Sequence, residues 1–423
     1  MHTKLGLLTV AIMISLIGFS IIFPLYPSYV SSGLGLGPNV GTNDSRVALY
    51  GGLLLSSYAL MQFLFAPLWG RLSDKIGRKP VLLISLAGDV VFYALFGTQI
   101  HSIVGQFAAR MLAGIFSSGT LSVAQAYVAD VTPPEERAVG LGMLGAAFGV
   151  GFVVGPALGG ALGPINLALP MYVASALALL NAIFIYRLLP ESRTAEQRAE
   201  VGSPATPVSL VQRLASMGKS LAGPLGFLFI LTFLVTFAFS LMEGTFPTYI
   251  RHFYQTDSQA ARASGIAFTF VGVLMVIVQG GLIRRLRTRY SEAQLVLCGV
   301  GLMAIGFWLF PAPQTVVALV LGPMVPIAIG SALNSPSLRA LVSRLSSANV
   351  QGGTMGVSAS FDSLARAVGP GFGGWLMAHH GLAAPFYVAG GVMSVAFLWA
   401  VAQYRKLSLP IAAAHVTPAP ATE

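Results

Sequence analysis

Gly155-Pro156-Ala157-Leu158-Gly159-Gly160 recurs 214 residues later as Gly369-Pro370-Gly371-Phe372-Gly373-Gly374. Both stretches lie inside long apolar segments. The same offset carries Arg71-Leu72 onto Arg285-Leu286, Lys75 onto Arg289 and Gly142 onto Gly356. One offset that aligns several separated sites points to two copies of one unit. An apolar unit repeated in parallel is the plan of membrane carriers that rock about a central site.

Composition agrees. Hydrophobic residues make up 55% of the 423-residue chain and charged residues 9%, and mean hydropathy is +0.77. Soluble domains carry about 25% charged residues; a chain this poor in charge uses lipid as solvent. The net charge of +10 does not indicate a nucleic-acid partner, because the basic residues fall in short segments between apolar runs. The single Cys298 lies in an apolar run and is expected to pack there. It excludes a disulfide framework and a cysteine metal site.

Twelve apolar spans, each near the roughly 20 residues that cross a bilayer, are predicted at about 5–30, 46–68, 80–99, 102–127, 138–161, 168–188, 223–250, 261–283, 293–311, 315–338, 352–377 and 383–404. The first follows Lys4 but runs on into Pro24-Leu25-Tyr26-Pro27 without a small-residue cleavage site, so it reads as a retained helix. Lys4, the Arg71–Lys79 and Arg284–Arg289 clusters, Arg137, the basic residues from Arg187 to Lys219, Arg339, Arg344, Arg405 and Lys406 share one side. The other side holds Arg46, Arg251 and Arg262. This bias predicts both termini in the cytoplasm.

The expected fold is all-α and membrane-embedded: two pseudo-symmetric six-helix bundles over 1–189 and 223–406, a cytoplasmic linker over 190–222 and a flexible tail over 407–423. The linker offers an amphipathic piece from Val208 to Leu221.

Between spans two and three lies Gly70-Arg71-Leu72-Ser73-Asp74-Lys75-Ile76-Gly77-Arg78-Lys79-Pro80. This resembles the cytoplasmic loop signature of the major facilitator superfamily. Arg110-Met111-Leu112-Ala113-Gly114 in span four resembles the family's arginine motif, and Gly151 to Gly160 in span five the Gly-Pro motif of drug:proton antiporters. Tyr58-Ala59-Leu60-Met61-Gln62 and Pro80 to Leu86 resemble twelve-span tetracycline exporters. The resemblance implies the two-bundle fold, proton-coupled efflux by alternating access, a bacterial cytoplasmic membrane and a monomer whose partners are a small-molecule substrate, protons and lipid.

For the loop, glycines at 70 and 77 are expected where the backbone turns tightly. The resemblance implies that Asp74 meets the N-terminus of span eleven near Gly352-Gly353, the positive end of its dipole, and that Arg78 pairs with Asp130. Gly70, Asp74, Gly77, Arg78 and Asp130 would form a cytoplasmic gate. In the second half Asp74 becomes Thr288, so that copy keeps only topological charge. Gly151, Gly155, Pro156 and Gly159, with Gly369 and Pro370, are expected to form a rocking surface against span eight or eleven, since small residues let helices approach closely in lipid.

Ionisable residues within spans are functional candidates: Asp89, Arg110, Glu243, Asp362 and Arg366. Glu243 has no basic partner within one turn and is the leading proton site, with Asp89 and Asp362 as further candidates. Asp362 and Arg366, spaced i, i+4, are expected to neutralise each other. In resembling exporters the span-four arginine couples to a span-one acid; here span one has none, and Ser15 stands near its place. The exporters' span-three acid falls one turn after Asp89, at Phe92. Arg110, Gln62, Ser117, Gln125, Gln279, Asn334 and Phe239 are cavity-lining candidates.

No nucleotide-binding loop, His-Glu-x-x-His or Gly-x-Ser-x-Gly occurs. His379-His380 lacks nearby cysteines or acids, so neither cofactor nor metal is expected. The competing function is a facilitator or proton-coupled importer of a polar nutrient, such as a sugar or organic acid.

Overall fold

The computed structural model describes residues 2–36, 44–133, 137–194, 196, 198, 210–221, 225–346 and 351–408. The described residues form twelve membrane-length helical spans. Eleven are apolar enough by composition to cross a bilayer. The twelfth, Gln351–His380, is 30 residues long but carries more polar side chains.

Span one is two helices, His2–Ser20 and Tyr26–Gly33, joined by a tighter turn in which Phe23 N–H and Leu25 N–H donate to carbonyls three residues back. Pro24 has no N–H, and Pro27 sits in the first turn of the second helix. Spans two to six are Ser45–Ile76, Arg78–Thr98, Ile103–Val131, Arg137–Leu162 and Leu169–Leu188. Span seven is Gly226–Arg251. Span eight is Asp257–Ile277, a π-helical turn Val278–Leu282 and Ile283–Leu286. Span nine is Glu292–Leu309. Span ten is Val316–Leu321 and Met324–Arg344, broken at Gly322-Pro323. Spans eleven and twelve are Gln351–His380 and Ala384–Ser408.

The Gly70–Pro80 stretch differs from its expected loop. Helix runs through it to Ile76, and the only break is Gly77, with φ +105°. Gly70 is helical, so the turn needs one glycine rather than two.

Spans one and five, two and four, three and four, and three and six pack together in the first half. Spans seven and eleven, nine and ten, and nine and twelve do so in the second. The two most extensive pairs that cross between the halves are two with eleven and five with eight; span seven also touches spans one and two. A continuous core joins Ile21–Tyr29, Val47–Tyr58 and Phe246–Ile250 across both halves. Near the Arg71–Lys79 end, called here the basic end, the first half closes a separate core of its own, around Leu8, Leu82 and Val128.

Within the interval 190–222 the helix Leu210–Leu221 is described. Residues 199–209, and the tail after Ser408, lie outside the described residues. Cys298 departs from expectation: it is exposed on the outside of span nine rather than packed.

Candidate functional site: a cleft between two halves

The repeated Gly-Pro stretches position the cleft, and each splits its residues between two neighbours. A Cβ at Gly155 would lie 2.7 Å from the Ile17 carbonyl, and Gly151 and Gly159 pack on Leu16 and Ile21. These three, spaced i, i+4, i+8, face span one of their own half. Pro156 and Gly160 face the other way: the Pro156 carbonyl abuts Gly265, and a Cβ at Gly160 would lie 3.0 Å from both Gly265 Cα and Ala261 O. The second copy repeats the division. Gly369 and Gly373 abut Leu241 of span seven, in the same half. Pro370 and Gly374 abut Gly52 of span two, across the halves. The expected single rocking face against span eight or eleven is thus divided: Gly151, Gly155, Gly159 and Gly369 pack within bundles, while Pro156 and Pro370 lie on the seam between bundles.

Sequence reading missed two serines that fix these seams. Ser20 Oγ donates to Gly151 O at 2.9 Å, and Ser240 Oγ to Ala365 O at 3.2 Å. The two acceptors are themselves one 214-residue offset apart.

Among the described residues Thr269 Oγ1 of span eight donates to Val153 O of span five at 3.2 Å, and three further hydrogen bonds cross the halves towards the end opposite the basic one. Tyr26 Oη donates to Gly244 O; Gly371 N–H donates to Ser56 Oγ at 2.8 Å; Arg251 donates to Ser31 Oγ at 3.3 Å and pairs with Asp257 at 2.5 Å. Beside them, hydrogen bonds from Arg46 hold the Asp44 carboxyl below the usual carboxylate range. At the basic end a Cβ built at Gly70, Gly142, Gly280 or Gly356, on the same four spans, would meet nothing within 4 Å. The described contacts between the halves thus close one end and leave open space beside these glycines at the other.

Glu243, Arg366 and Asp362 come together on spans seven and eleven. Arg366 Nη1 lies 3.7 Å from Glu243 Oε2, and its Nε lies 3.5 Å from Asp362 Oδ2. Thr236 Oγ1 donates to Asp362 Oδ1 at 2.7 Å. Glu243 Oε1 is buried without a hydrogen-bond partner. Within one turn of its own helix Glu243 has no basic partner, as expected; its cation comes from the neighbouring helix. One expectation changes: Arg366 bridges two acids rather than closing a private pair with Asp362. The bridge is loose: ion pairs elsewhere in the protein reach 2.5–2.9 Å. Arg366 keeps 35% of its side chain exposed, against 7% for Glu243.

The first half holds a different arrangement. Arg110 is 2% exposed, and its guanidinium lies 4.0 Å from the Tyr58 ring centre and 5.9 Å from that of Phe19. Asp89 is also 2% exposed. Tyr58 Oη donates to Ser117 Oγ at 2.6 Å. Arg110 is therefore sealed under Tyr58 and does not line the cleft as expected. Ser15 does not face it either: it accepts from Asn181 Nδ2 of span six at 2.9 Å.

At the basic end Arg78 Nε meets Asp130 Oδ2 at 2.8 Å, and its Nη1 meets Asp74 Oδ1 at 2.9 Å and Ser73 Oγ at 2.6 Å. Asp74 also receives Arg193, 3.4 Å from its carboxylate and 2.9 Å from its carbonyl. The expected contact near Gly352-Gly353 involves side chains outside the described residues; the described partners of Asp74 are Arg78 of the first half and Arg193 of the linker. Glu191 accepts from Arg78 N–H at 2.9 Å and Lys79 N–H at 3.0 Å, a carboxylate on the positive end of span three. Glu191 and Arg193 escaped sequence reading because more than 100 residues separate them from their partners. A lone acid in the first turn after span six was the only clue.

The remaining cavity candidates scatter. Gln62 and Phe239 are half-buried, Gln125 is exposed, and Gln279 sits in the π-helical turn of span eight. Asn334 is fully buried between spans nine and ten, donating to Met303 Sδ at 3.4 Å. It is removed from the cleft, contrary to expectation.

Two six-helix bundles, related by an internal repeat and parted by a cleft with buried charges, define a membrane transporter. A sequence profile described as Major Facilitator Superfamily matches residues 8–291 and 282–423. The chain is 32% identical over 357 residues to the tetracycline resistance protein, class C, of Escherichia coli, covering 84% of each chain. It is 30% identical over 392 residues to major facilitator superfamily domain-containing protein 10 of Homo sapiens, covering 85% of this chain and 84% of that one. The crystal structure of the human organic anion transporter MFSD10 (TETRAN) superposes with a TM-score of 0.73 at 26% identity, over 94% of this chain and 99% of that one. The chain belongs to the major facilitator superfamily and is a multi-pass integral membrane protein.

Proposed function

We propose that this transporter exports small, largely apolar organic compounds in exchange for protons, by alternating access, as a monomer in a bacterial cytoplasmic membrane with both termini inside. On this reading the basic end is cytoplasmic, and the arrangement, held closed at the opposite end, is the inward-facing state. The bundles 1–189 and 223–406 move against each other about the seams at Gly160–Gly265 and Gly52–Gly374, with 190–222 as the tether.

The observation that carries the reading is Glu243. It is a buried carboxylate on a helix that touches the cleft, loosely held by an arginine it shares with a second acid. An ionised Glu243 competes with Asp362 for Arg366; a protonated one gives Arg366 up. Arg366 stands one turn before Pro370, and Pro370 abuts both Gly244 of span seven and Gly52 of span two. A proton on Glu243 thus alters the tie between spans seven and eleven next to the moving seam. Phe233, Phe237 and Phe372, ring centres 5.7 and 5.9 Å apart, offer an apolar face. The tetracycline resistance relatives support efflux as the direction.

One observation favours a second reading, a carrier of organic acids. Arg366 is a partly exposed cation in the cleft, and the human relative's structure is titled an organic anion transporter. Proteoliposomes with and without an imposed pH gradient separate the two. The expected result is gradient-driven accumulation of tetracycline or another apolar drug and none of an aromatic carboxylate. Accumulation of the carboxylate alone would overturn the export reading, and equilibration without accumulation of either would remove the proton.

A further inference from the structure

Among the described residues, span eight alone contains a π-helical turn, Val278–Leu282, between Asp257–Ile277 and Ile283–Leu286. Ile283 N–H donates to Val278 O, five residues back rather than four. The burial pattern shows what the extra residue does. Val278 and Ile283 are buried with Leu295 of span nine and with Ala332 and Leu333 of span ten. A regular α-helix with Val278 in that core would turn position 282 into it. Instead Leu282 is 41% exposed and Ile283 7%. The turn therefore holds the end of span eight one residue out of α-helical phase. The 214-residue repeat does not share it: the matching stretch of span two, 64–68, lies in the unbroken helix Ser45–Ile76.

The slip begins where the seam between the halves ends. Spans five and eight meet at Gly160 and Ala261, at Val153 and Thr269, and last at Gly149 and Val276, where a Cβ on Gly149 would lie 2.9 Å from the Val276 side chain. The next turns of both helices are open: a Cβ at Gly142, Gly145, Gly280 or Gly281 would meet nothing within 4 Å. Leucine and isoleucine are isomers, so either one in the core fills a similar apolar volume. Between Val278 and Leu282 stand only Gln279, Gly280 and Gly281, none of them buried. Changing the phase therefore gives up no other apolar contact within the turn, and the two phases are discrete packings of one segment.

We propose that this π-helical turn is the phase switch of the five–eight seam. As the basic end closes, the turn becomes regular α-helix and Leu282 replaces Ile283 in the core. The segment Arg284–Arg289 then swings by about 100°, one residue of helix rotation. The swing releases Arg287 from Pro336 O of span ten, now 3.3 Å away. The switch rests on the alternating access proposed above, and on neither its substrate nor its proton.

Deletion of Gly281 tests it, because the deletion makes 278 to 283 a single α-helical turn without moving Ile283 from its core. The open arrangement keeps its packing and loses the means to change phase. In proteoliposomes the deletion should cut transport roughly tenfold or more, while the melting temperature in detergent stays at or above that of wild type. A spin label attached through Leu282→Cys, in a Cys298→Ser background, should be mobile in the full chain. Adding Gly160→Leu, which wedges the opposite end of the seam apart, should immobilise it. In the chain lacking Gly281 the same wedge should leave it mobile. Immobilisation in both backgrounds would mean that the seam closes without a change of phase, and it would overturn the proposal. A label that stays mobile in the wedged full chain, wild-type transport by the deletion, or its failure to fold would do the same. If the wild-type chain itself accumulates no substrate, the export reading falls and the spin-label series still decides the switch.

Discussion

The two halves share a scaffold and differ in their charges. In the first, Arg110 and Asp89 are sealed beneath Tyr58, each 2% exposed and without a direct partner. In the second, Arg366 stands 35% exposed between Glu243 and Asp362 at 3.7 and 3.5 Å. The Gly-Pro copies beneath these sites do the same work in both halves: one glycine pair binds within the bundle, and the proline and final glycine meet the other bundle. Duplication has kept the contacts that set helix spacing and let the buried chemistry diverge. Sealed side chains suit a fixed support. A shared, partly exposed arginine suits a switch.

That division of labour within each copy predicts opposite failures from similar substitutions. Gly155→Leu pushes a side chain into the Ile17 backbone inside one bundle. Overpacking there should cost about 3 kcal/mol or more in stability, seen as lost folded protein in a detergent thermal-shift assay. Gly160→Leu meets Gly265 and Ala261 of the other bundle. It should leave each bundle folded while cutting transport roughly tenfold or more, the equivalent of about 1.4 kcal/mol on the closing step. Indistinguishable stability and transport in the two variants would break the distinction between bundle and seam.

The basic loop sharpens the contrast between the halves, because its acid survives in one copy only. Asp74→Asn should insert normally and lose stability by no more than about 1 kcal/mol, since the Asp74 side chain is 35% exposed and its ion pairs are screened. Transport should nevertheless fall, as Arg78 and Arg193 lose a shared partner. Full transport at equal protein level would reduce Asp74 to a surface charge.

The smallest effect is expected at the closed end. Tyr26→Phe removes one buried hydrogen bond between the halves. A loss of about 1 kcal/mol should shift the open–closed balance at that end roughly fivefold. Spin labels at Arg46 and Arg262, in a Cys298→Ser background, would report it as a longer distance population. An unchanged distribution would mean that the small-residue seam alone holds that end shut.

Much of this fold is legible in the chain. Apolar length gives the spans, and the 214-residue offset gives the repeat, since both are properties of order along the sequence. What the sequence does not carry is azimuth. The glycines at 155 and 160 look alike in a row, yet the 3.6-residue period turns them to different neighbours. Rotation about the axis also sends Asn334 into the bundle and Arg110 under an aromatic ring, and it brings Arg366 to Glu243 from a helix more than 100 residues away. The Gly70–Pro80 stretch misled for a different reason. Polar residues suggest a loop, but Arg71, Leu72 and Lys75 are good helix formers, and the helix extends past the apolar stretch to end at Gly77.

If the shared arginine of the second half is the proton switch, replacing Glu243 by a permanently neutral isostere must separate binding from coupling. Glu243→Gln should retain substrate exchange between two equilibrated compartments and lose accumulation driven by an imposed pH gradient in proteoliposomes, with wild-type protein accumulating substrate in parallel. Continued uphill accumulation by Glu243→Gln at wild-type levels would contradict the assignment and place the transported proton elsewhere.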